Sequence, residues 1–330
     1  MILYLIGVDY KSAPLSVRES IYNIRDEIIG FWKSRREDTA LLFTCNRIEL
    51  YGVSSDIFQA ARTIDLFRRR FPWIFEKSYV KQGTEEVIEH ALRLACGLES
   101  QIRGEGEVLE QLNSWISQDS FPWILKKIWK EVLERAEDIR FTSGLRQVNA
   151  NIAGIIFKDL VKRLSISGSK EVVVIGTGKI AQVLTENRPE GFNLHFASRK
   201  KHKRAKQLAG RSGGRAILLD DLPSLLLVTD AAISATSSPH YVLRKEYLSD
   251  ILKKRKNPLY LYDLAVPRDI EPRAGLIENL FLQDLDDLGP LFKQHAETLD
   301  NYVKKAELLI LHHIFEIAGG VKERSNVYSY

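Results

Sequence analysis

The sequence is short of several features that would place it quickly. Only two of its 330 residues are cysteine, Cys45 and Cys96. They lack CxxC spacing, so neither a zinc site nor a disulfide framework is implied, and a reducing compartment fits. No stretch stays apolar and uncharged for the roughly 18 residues a membrane span needs. The N-terminal MILYLIGVDYKSAP meets a charge too soon for a signal peptide. A cytoplasmic protein with no membrane segment is expected. No compact platform of Lys, Arg and aromatic residues stands out for gripping nucleic acid. The net charge of +5 permits a polyanionic partner without demanding one, and solvated surface charge accounts for it more simply.

What is present is apolar content of 45%, enough to fill two or three cores. LYLIGV (residues 3–8) reads as a strand, then Ser16 as an N-cap with Glu19 three residues on, then a helix to about Arg35. ALLFT and RIELYGV are strand-like runs on either side of Cys45 and Asn46. A helix from about Asp56 to Arg70 and a short strand over residues 79–81 follow. The order βαββαβ predicts a ferredoxin-like sheet under two helices, with Cys45 at a strand-to-strand turn.

That turn, Thr44-Cys45-Asn46-Arg47, is a reactive-cysteine neighbourhood. Thiolate is the nucleophilic form, and an adjacent guanidinium favours it. Arg47 either does this or binds a substrate carboxylate bidentately. Taken alone, a single cysteine is more often inert core. From Thr84, read as a cap, Val87, Ala91, Leu94 and Ala95 form a helical stripe with Cys96 at its apolar end. His90 lies beside that stripe, where a satisfied half-buried histidine is commoner than a catalyst. GLESQIRGEGEVLEQLNSW then brings Ser100, Gln101, Glu105, Glu107 and Gln111 within a turn or two. Gly104 and Gly106 there argue for a turn or a close backbone approach.

A helix over about 149–164 ends at the linker-like residues 165–169. EVVVIGTGKIAQVL follows: a buried strand, Gly176-x-Gly178-x-x-Ala181, then a helix start. The first glycine makes the tight turn, the second admits a pyrophosphate, and Ala181 lets helix and strand pack closely. Thr177, Lys179 and Ile180 complete the loop. The next strand, NLHFAS, ends in Ser198-Arg199-Lys200, hydroxyl and basic groups that suit a 2′-phosphate, so NADP is preferred. RKKHKRAK also reads as a solvated helix start. Residues 234–238 and 265–268, after two further strands, are expected to line the cofactor crevice.

Phe292, Ala296, Leu299, Val303, Ala306, Ile310, His313 and Ile317 form a heptad seam. That helix either packs along its own chain or pairs with a second copy. His312 and His313, being adjacent, are expected to point apart, and no metal site is expected. The fold class is therefore α/β in three parts. Residues 1–148 form an α+β ferredoxin-like catalytic domain with added helices, 149–286 a Rossmann-type NADP-binding domain, and 287–330 a long C-terminal helix.

GVDYKSAPLSVRE, FTCNRIELY, HALRLACGLESQIRGEGEVLEQ, VVVIGTGKIA, DAAISATSSPH, YDLAVPRDIEP and DLDDL together resemble the glutamyl-tRNA reductases over nearly the whole chain. The resemblance implies that the Cys45 thiolate attacks the ester joining glutamate to its tRNA. NADPH then reduces the thioester to glutamate-1-semialdehyde, the first committed step of five-carbon tetrapyrrole synthesis. By matching motif, Thr44, Asn46 and Arg47 hold the glutamyl group, with Arg47 suited to its carboxylate. Ser100, Glu105, Gly106, Glu107 and Gln111 fall at substrate-contact positions, His90 becomes a residue important for activity, and residues 176–181 take NADPH. GEGEVLEQ stands where the family commonly has GEPQILGQ, so Gly106, Glu107 and Glu110 replace a proline, a glutamine and a glycine. RFTSGLRQV stands where a basic, threonine-rich stretch is usual. The C-terminal region is shorter than the family's dimerisation bundle, which implies a homodimer with a reduced interface. A downstream semialdehyde aminotransferase is an implied partner, and thioester and nicotinamide on separate domains imply interdomain motion.

Two other classes stay open on sequence grounds. One is an NADP-dependent dehydrogenase of a small alcohol or ketone without covalent catalysis, which leaves TCNR unexplained. The other is a non-catalytic tRNA-binding regulator with a vestigial cofactor fold.

Overall fold

The computed structural model describes residues 1–33, 38–148, 151–164, 170–199 and 203–327. The linker-like residues 165–169 and the end expected for the first helix lie outside these. Two compact units result, one of residues 1–150 with 292–330 and one of residues 151–291.

In unit 1, β1 (Ile2–Asp9) is almost wholly buried because its alternate residues feed two different cores. Ile6 and Val8 pack with α1 (Leu15–Asn23), α2 (Arg25–Lys33) and α3 (Ile57–Arg70). Leu3 and Leu5 point the other way, a consequence of the two-residue period of a strand. β2 (Thr39–Phe43) and β3 (Arg47–Ser54) form a hairpin, and a short α4 (Pro72–Phe75) precedes β4 (Tyr79–Gln82). The strand order is β2-β3-β1-β4 with every pairing antiparallel. This is the ferredoxin-like arrangement expected from the βαββαβ order. α5 (Thr84–Ala95), α6 (Glu107–Ile116) and α7 (Trp123–Ser143) follow, and α5 and α7 cover the second sheet face.

Two expected caps move, one by two residues and one by a single residue. The first helix starts at Leu15 with Pro14 as its N-cap, which places Ser16 inside it. Proline presets the φ that helix entry needs. α5 is capped by Gly83, which makes Thr84 its first residue. The single helix expected before residue 35 is two helices that meet at Ile24.

Unit 2 opens with α8 (Ile152–Arg163), capped by the Asn151 side chain on the Gly154 amide. β5 (Lys170–Ile175), α9 (Lys179–Glu186), β6 (Phe192–Ser198), α10 (Lys203–Arg211) and β7 (Ala216–Leu218) form one half. α11 (Leu222–Leu226), β8 (Ala231–Ser234), α12 (Lys245–Leu252), β9 (Leu259–Asp263) and β10 (Leu280–Asp284) form the other. The sheet runs β10-β9-β8-β5-β6-β7, all parallel. The order reverses between β5 and β8, and a doubly wound sheet opens its ligand crevice at that switch point.

The expected C-terminal helix is two: α13 (Gly289–Glu297) and α14 (Asp300–Val327). α14 packs along its own chain. Leu299, Val303, Ala306, Ile310, Ile314, Ile317 and Val321 are buried in the core that α5 and α7 share. Ile314 takes the place expected for His313 because the buried stripe follows the 3.6-residue period of a straight helix rather than a heptad. Among the described residues no helix is long and apolar enough to cross a membrane.

Gly7 on β1 pairs with Glu49 on β3 and with Tyr79 on β4, so the three lie in one row across the sheet. A Cβ at Gly7 would stand 2.4 Å from the Tyr79 ring. The Tyr79 side chain therefore lies across the strand that Gly7 leaves bare. Gly7→Ala is expected to destabilise the protein by about 1–3 kcal/mol through overpacking, read as a lower midpoint in urea unfolding.

Candidate functional site

The turn carrying Cys45 is tied down from three directions. The Thr44 amide donates to the Arg47 carbonyl at 2.9 Å, and the Thr44 hydroxyl accepts from the Asn46 and Arg47 amides at 3.3 and 3.2 Å. Such a side-chain-to-backbone turn is a common use of threonine. The Tyr10 amide donates to the Asn46 carbonyl. Arg18, buried within α1, donates from Nη1 to the Cys45 carbonyl at 3.1 Å and to Asn46 Oδ1 at 3.2 Å. Arg18 carried no sequence signal, because nothing in VRES distinguishes it from a surface helix cation.

Cys45 is exposed to solvent. Even so, desolvation by the surrounding protein pushes its pKa up to about 11, and the Glu105 carboxylate adds to the rise. Arg18 and Arg47 pull the other way, as expected of a guanidinium, but are outweighed. At neutral pH the resting sulfur carries its proton, and a base must take it as a bond to carbon forms.

The second strand of the site is the loop after α5. Gly97 and Gly104 adopt φ of 78° and 85°, the left-handed region where glycine is favoured. A Cβ at Gly97 would stand 2.7 Å from the Glu105 carbonyl, so the loop closes on itself only with glycine there. Arg140 of α7 staples it, donating to the Cys96, Gly104 and Glu105 carbonyls at 2.6, 3.1 and 3.0 Å. Arg140 opens RFTSGLRQV, the stretch that departs from the family pattern. Ser100 is buried, and its carbonyl accepts from the Tyr10 hydroxyl at 3.2 Å, so Tyr10 joins this loop to the Cys45 turn. Burial raises the Glu105 pKa to about 7; Glu107 adds to the rise, while a Ser100 hydrogen bond, Arg47 and Arg140 oppose it. Gly106 caps α6 and Glu107 begins it. Gln111, one turn along, is exposed and among the described residues makes no hydrogen bond to the turn.

Arg47 is 3% exposed. Its Nη1 donates to Glu49 Oε1 at 2.7 Å and its Nη2 to the Glu99 carbonyl. His90, also buried, donates from Nε2 to Glu49 Oε1 at 2.9 Å. The expected site residues Thr44, Cys45, Asn46, Arg47, His90, Ser100 and Glu105 thus gather in one region of unit 1. Arg47 and His90 meet at a carboxylate that sequence reasoning did not single out. The available signal was a glutamate in the middle of the apolar run RIELYGV.

In unit 2 a cleft of about 680 Å³ opens at the switch point. Gly176, Thr177, Gly178, Lys179 and Ile180 line it together with Ser198 and Arg199, while Ala181 is buried behind them. Lys200 lies outside the described residues. Arg204, missed as part of a solvated run, also lines the cleft. Gly176 has φ of 113°, and a Cβ there would stand 2.6 Å from the Ala235 carbonyl. Asp269 fixes the facing loop, accepting from the Ser234 hydroxyl at 2.7 Å and the Thr236 amide at 2.8 Å. Of the expected residues 234–238, 235–238 line the cleft with Pro239 beside them, whereas Ser234 and residues 265–268 are not among its lining.

Both units match known families. Residues 6–141 match Glutamyl-tRNAGlu reductase, N-terminal domain, and residues 159–291 match Shikimate / quinate 5-dehydrogenase. The glutamyl-tRNA reductase of Bacillus subtilis is 29% identical over 331 residues, covering 96% of this chain and 73% of its own. That of Thermus thermophilus is 31% identical over 318 residues, covering 93% of this chain and 78% of its own. The chain belongs to the glutamyl-tRNA reductase family. A solved glutamyl-tRNA reductase from Methanopyrus kandleri is 25% identical and covers 98% of this chain and 80% of its own, with a TM-score of 0.45. The match to the N-terminal domain of the glutamyl-tRNA reductase family contains the Cys45 turn, His90 and the Ser100 loop. The dehydrogenase match contains the whole glycine-lined cleft.

One expectation is corrected. His312 and His313 do not diverge: His313 Nδ1 lies 2.8 Å and His312 Nε2 3.5 Å from Glu316, three and four residues on. Adjacent side chains on a helix still reach one carboxylate at those spacings. Arg135 approaches the same carboxylate at 3.8 Å, so a guanidinium from this chain already lies beside it.

The coupling of Cys45 to Glu105 is open to test. Glu105→Gln removes the nearby negative charge and is expected to lower the Cys45 pKa, moving the pH profile of iodoacetamide alkylation down by about one unit. An unmoved profile contradicts the coupling.

Proposed function

We propose that the protein is an NADPH-dependent reductase that converts glutamyl-tRNA(Glu) to glutamate-1-semialdehyde through a thioester on Cys45, the first step of five-carbon tetrapyrrole synthesis. The observation that carries this reading is an exposed thiol on a turn tied down by Thr44, Tyr10 and Arg18, with the Glu105 carboxylate near enough to raise its pKa. The Cys45 sulfur bonds to the glutamyl carbonyl carbon, and the ester C–O bond to the tRNA ribose breaks. Glu105, ionised above about pH 7, is suited to receive the thiol proton. Thr44 and Asn46 shape the turn around the acyl group, and Ser100, Gly106, Glu107 and Gln111 supply the facing contacts. Arg47 adds positive charge behind the turn. Direct pairing with the substrate carboxylate asks it to share its guanidinium with Glu49 and the Glu99 carbonyl.

The residues of unit 2 fit a dinucleotide. The backbone at Gly176 comes too close to Ala235 for a side chain, and the space beside Gly178 is open at the start of α9, where amides face an anion. Arg199 and Arg204 supply the charge a 2′-phosphate needs. When bound, NADPH supplies the hydride whose addition to the thioester expels the Cys45 thiolate and leaves the aldehyde. Both cysteines are free, which suits a reducing, cytoplasmic setting. Leu308, Leu311 and Phe315 are exposed on one stripe of α14, 70%, 55% and 72%, and a second copy of the chain would cover it in a homodimer with a small interface. An aminotransferase that consumes the reactive aldehyde is the fitting downstream partner.

Incubation with glutamyl-tRNA labelled in its glutamate, without NADPH, is expected to leave a hydroxylamine-sensitive label on the protein that Cys45→Ser abolishes. NADPH added afterwards should release the semialdehyde. Reduction that survives in Cys45→Ser supports the small-molecule dehydrogenase instead, and no adduct from folded protein with charged tRNA supports the binding class. Separately, Arg199→Ala with Arg204→Ala is expected to weaken NADPH binding at least about tenfold, with NADH little affected, as loss of charge-assisted bonds predicts. Fluorescence titration of both nucleotides checks it.

A further inference from the structure

One buried group in unit 1 has no part in acyl transfer or hydride transfer as proposed. Glu49 is 0% exposed, yet Arg47, Tyr51, Tyr79 and His90 all direct donors at its carboxylate. Arg47, Glu49 and Tyr51 alternate along β3 and so share one sheet face. Tyr79 reaches the same carboxylate from β4 across the bare Gly7, and His90 arrives from α5. Arg47, Tyr79 and His90 converge on Oε1 and Tyr51 meets Oε2, so both oxygens are engaged by this chain's own donors. Burial opposes ionisation, but Arg47 and His90 together with these hydrogen bonds hold the carboxyl well below the usual range. Glu49 is therefore ionised and, with no exposed surface, held by internal donors, unsuited to take a proton or to bind substrate.

Its partners lead outward. Arg47 immediately follows the Cys45-Asn46 turn and also donates to the Glu99 carbonyl, the peptide that carries Ser100. Removing the Glu49 charge leaves Arg47 buried beside an amide, some of whose hydrogens would face other donors.

We propose that Glu49 is a positioning residue for the reaction at Cys45, fixing Arg47 and His90 and through Arg47 setting the Cys45 turn against the Ser100 segment. The inference rests on the thioester reading and deepens it. It assigns to Glu49 a share in the rate of acyl transfer rather than in the affinity for tRNA.

The test is the rate of hydroxylamine-sensitive adduct formation at increasing glutamyl-tRNA, in full-length protein checked for fold by circular dichroism. Glu49→Gln is expected to lower the saturating rate about a hundredfold, the scale of a 1 Å misplacement, while the half-saturating tRNA concentration stays nearly constant. Glu49→Asp, which keeps the charge, should recover part of the rate. Tyr79→Phe removes one donor and leaves the charge pair, so it should fold where Glu49→Gln fails and should lower the saturating rate several-fold. A folded Glu49→Gln with a wild-type saturating rate overturns the proposal, as does a loss confined to the half-saturating concentration. If Glu49→Gln does not fold, an unchanged rate in Tyr79→Phe overturns it. A folded wild-type protein that forms no adduct overturns the thioester reading as well, so the two failures are distinguishable.

Discussion

A charge with no exposed surface has to be matched by its surroundings, and the matching at Glu49 joins otherwise separate pieces of unit 1. The carboxylate sits on β3, but its donors come from β3, β4 and α5. Desolvating such a group is unfavourable by several kcal/mol unless charge and hydrogen bonds meet it together. Each donor is therefore constrained in place as well as in kind. Arg47 carries the constraint on to the Glu99 carbonyl, and Tyr10 adds a second tie by bonding both the Asn46 carbonyl and the Ser100 carbonyl. The two loops that meet at Cys45 are in this way positioned by the sheet rather than by their own short lengths.

Two carboxylates of unit 1, one beside the thiol and one behind Arg47, have opposite fates. Glu49 stays ionised because four donors reach it, whereas Glu105 is raised to about 7 because burial and Glu107 outweigh Ser100, Arg47 and Arg140. Groups whose environments push their pKa values apart are the ones that divide structural from proton-transfer work. Cys45 shows the same balance, since its two nearby guanidinium groups do not overcome desolvation and Glu105. A permanently charged thiolate is unnecessary if its proton leaves only when an acyl carbon is present to receive the sulfur.

The βαββαβ order of unit 1 and strands β5, β6, β8 and β9 of unit 2 were readable in the sequence, because periods of two and about 3.6 record which faces are buried, whereas the short β7 and β10 were not. The fingerprint glycines were readable for a different reason: Gly176 needs a positive φ, and few other residues adopt one. What stayed hidden depended on three-dimensional partners. Nothing in RIELYGV says which donors will reach Glu49, and nothing in VRES marks Arg18 as the support of a turn 27 residues away. The caps at Pro14 and Gly83 displaced the hydroxyl residues that follow them by two and one positions, since neither cap makes a side-chain hydrogen bond. The break between α13 and α14 had no glycine or proline to announce it.

α14 shows how one helix carries two separable demands. Its inner stripe fills the core that α5 and α7 share, and each fully buried leucine or isoleucine there contributes about 1.5–3 kcal/mol. Losing this helix would therefore strip the floor from the unit that holds Cys45, whatever the oligomeric state. A polar link runs in parallel. Arg93 of α5 donates to Glu307 of α14 at 2.9 Å and to Glu99 at 2.6 Å, and Lys11 pairs with the same Glu99. Arg93 and Lys11 hold the Glu99 carboxyl down to about 2 against its desolvation, so the segment before Ser100 is held from its side chain as well as from its carbonyl. The exposed Leu308, Leu311 and Phe315 take no part in this. Folding of unit 1 selects the inner face and places no such demand on the outer one.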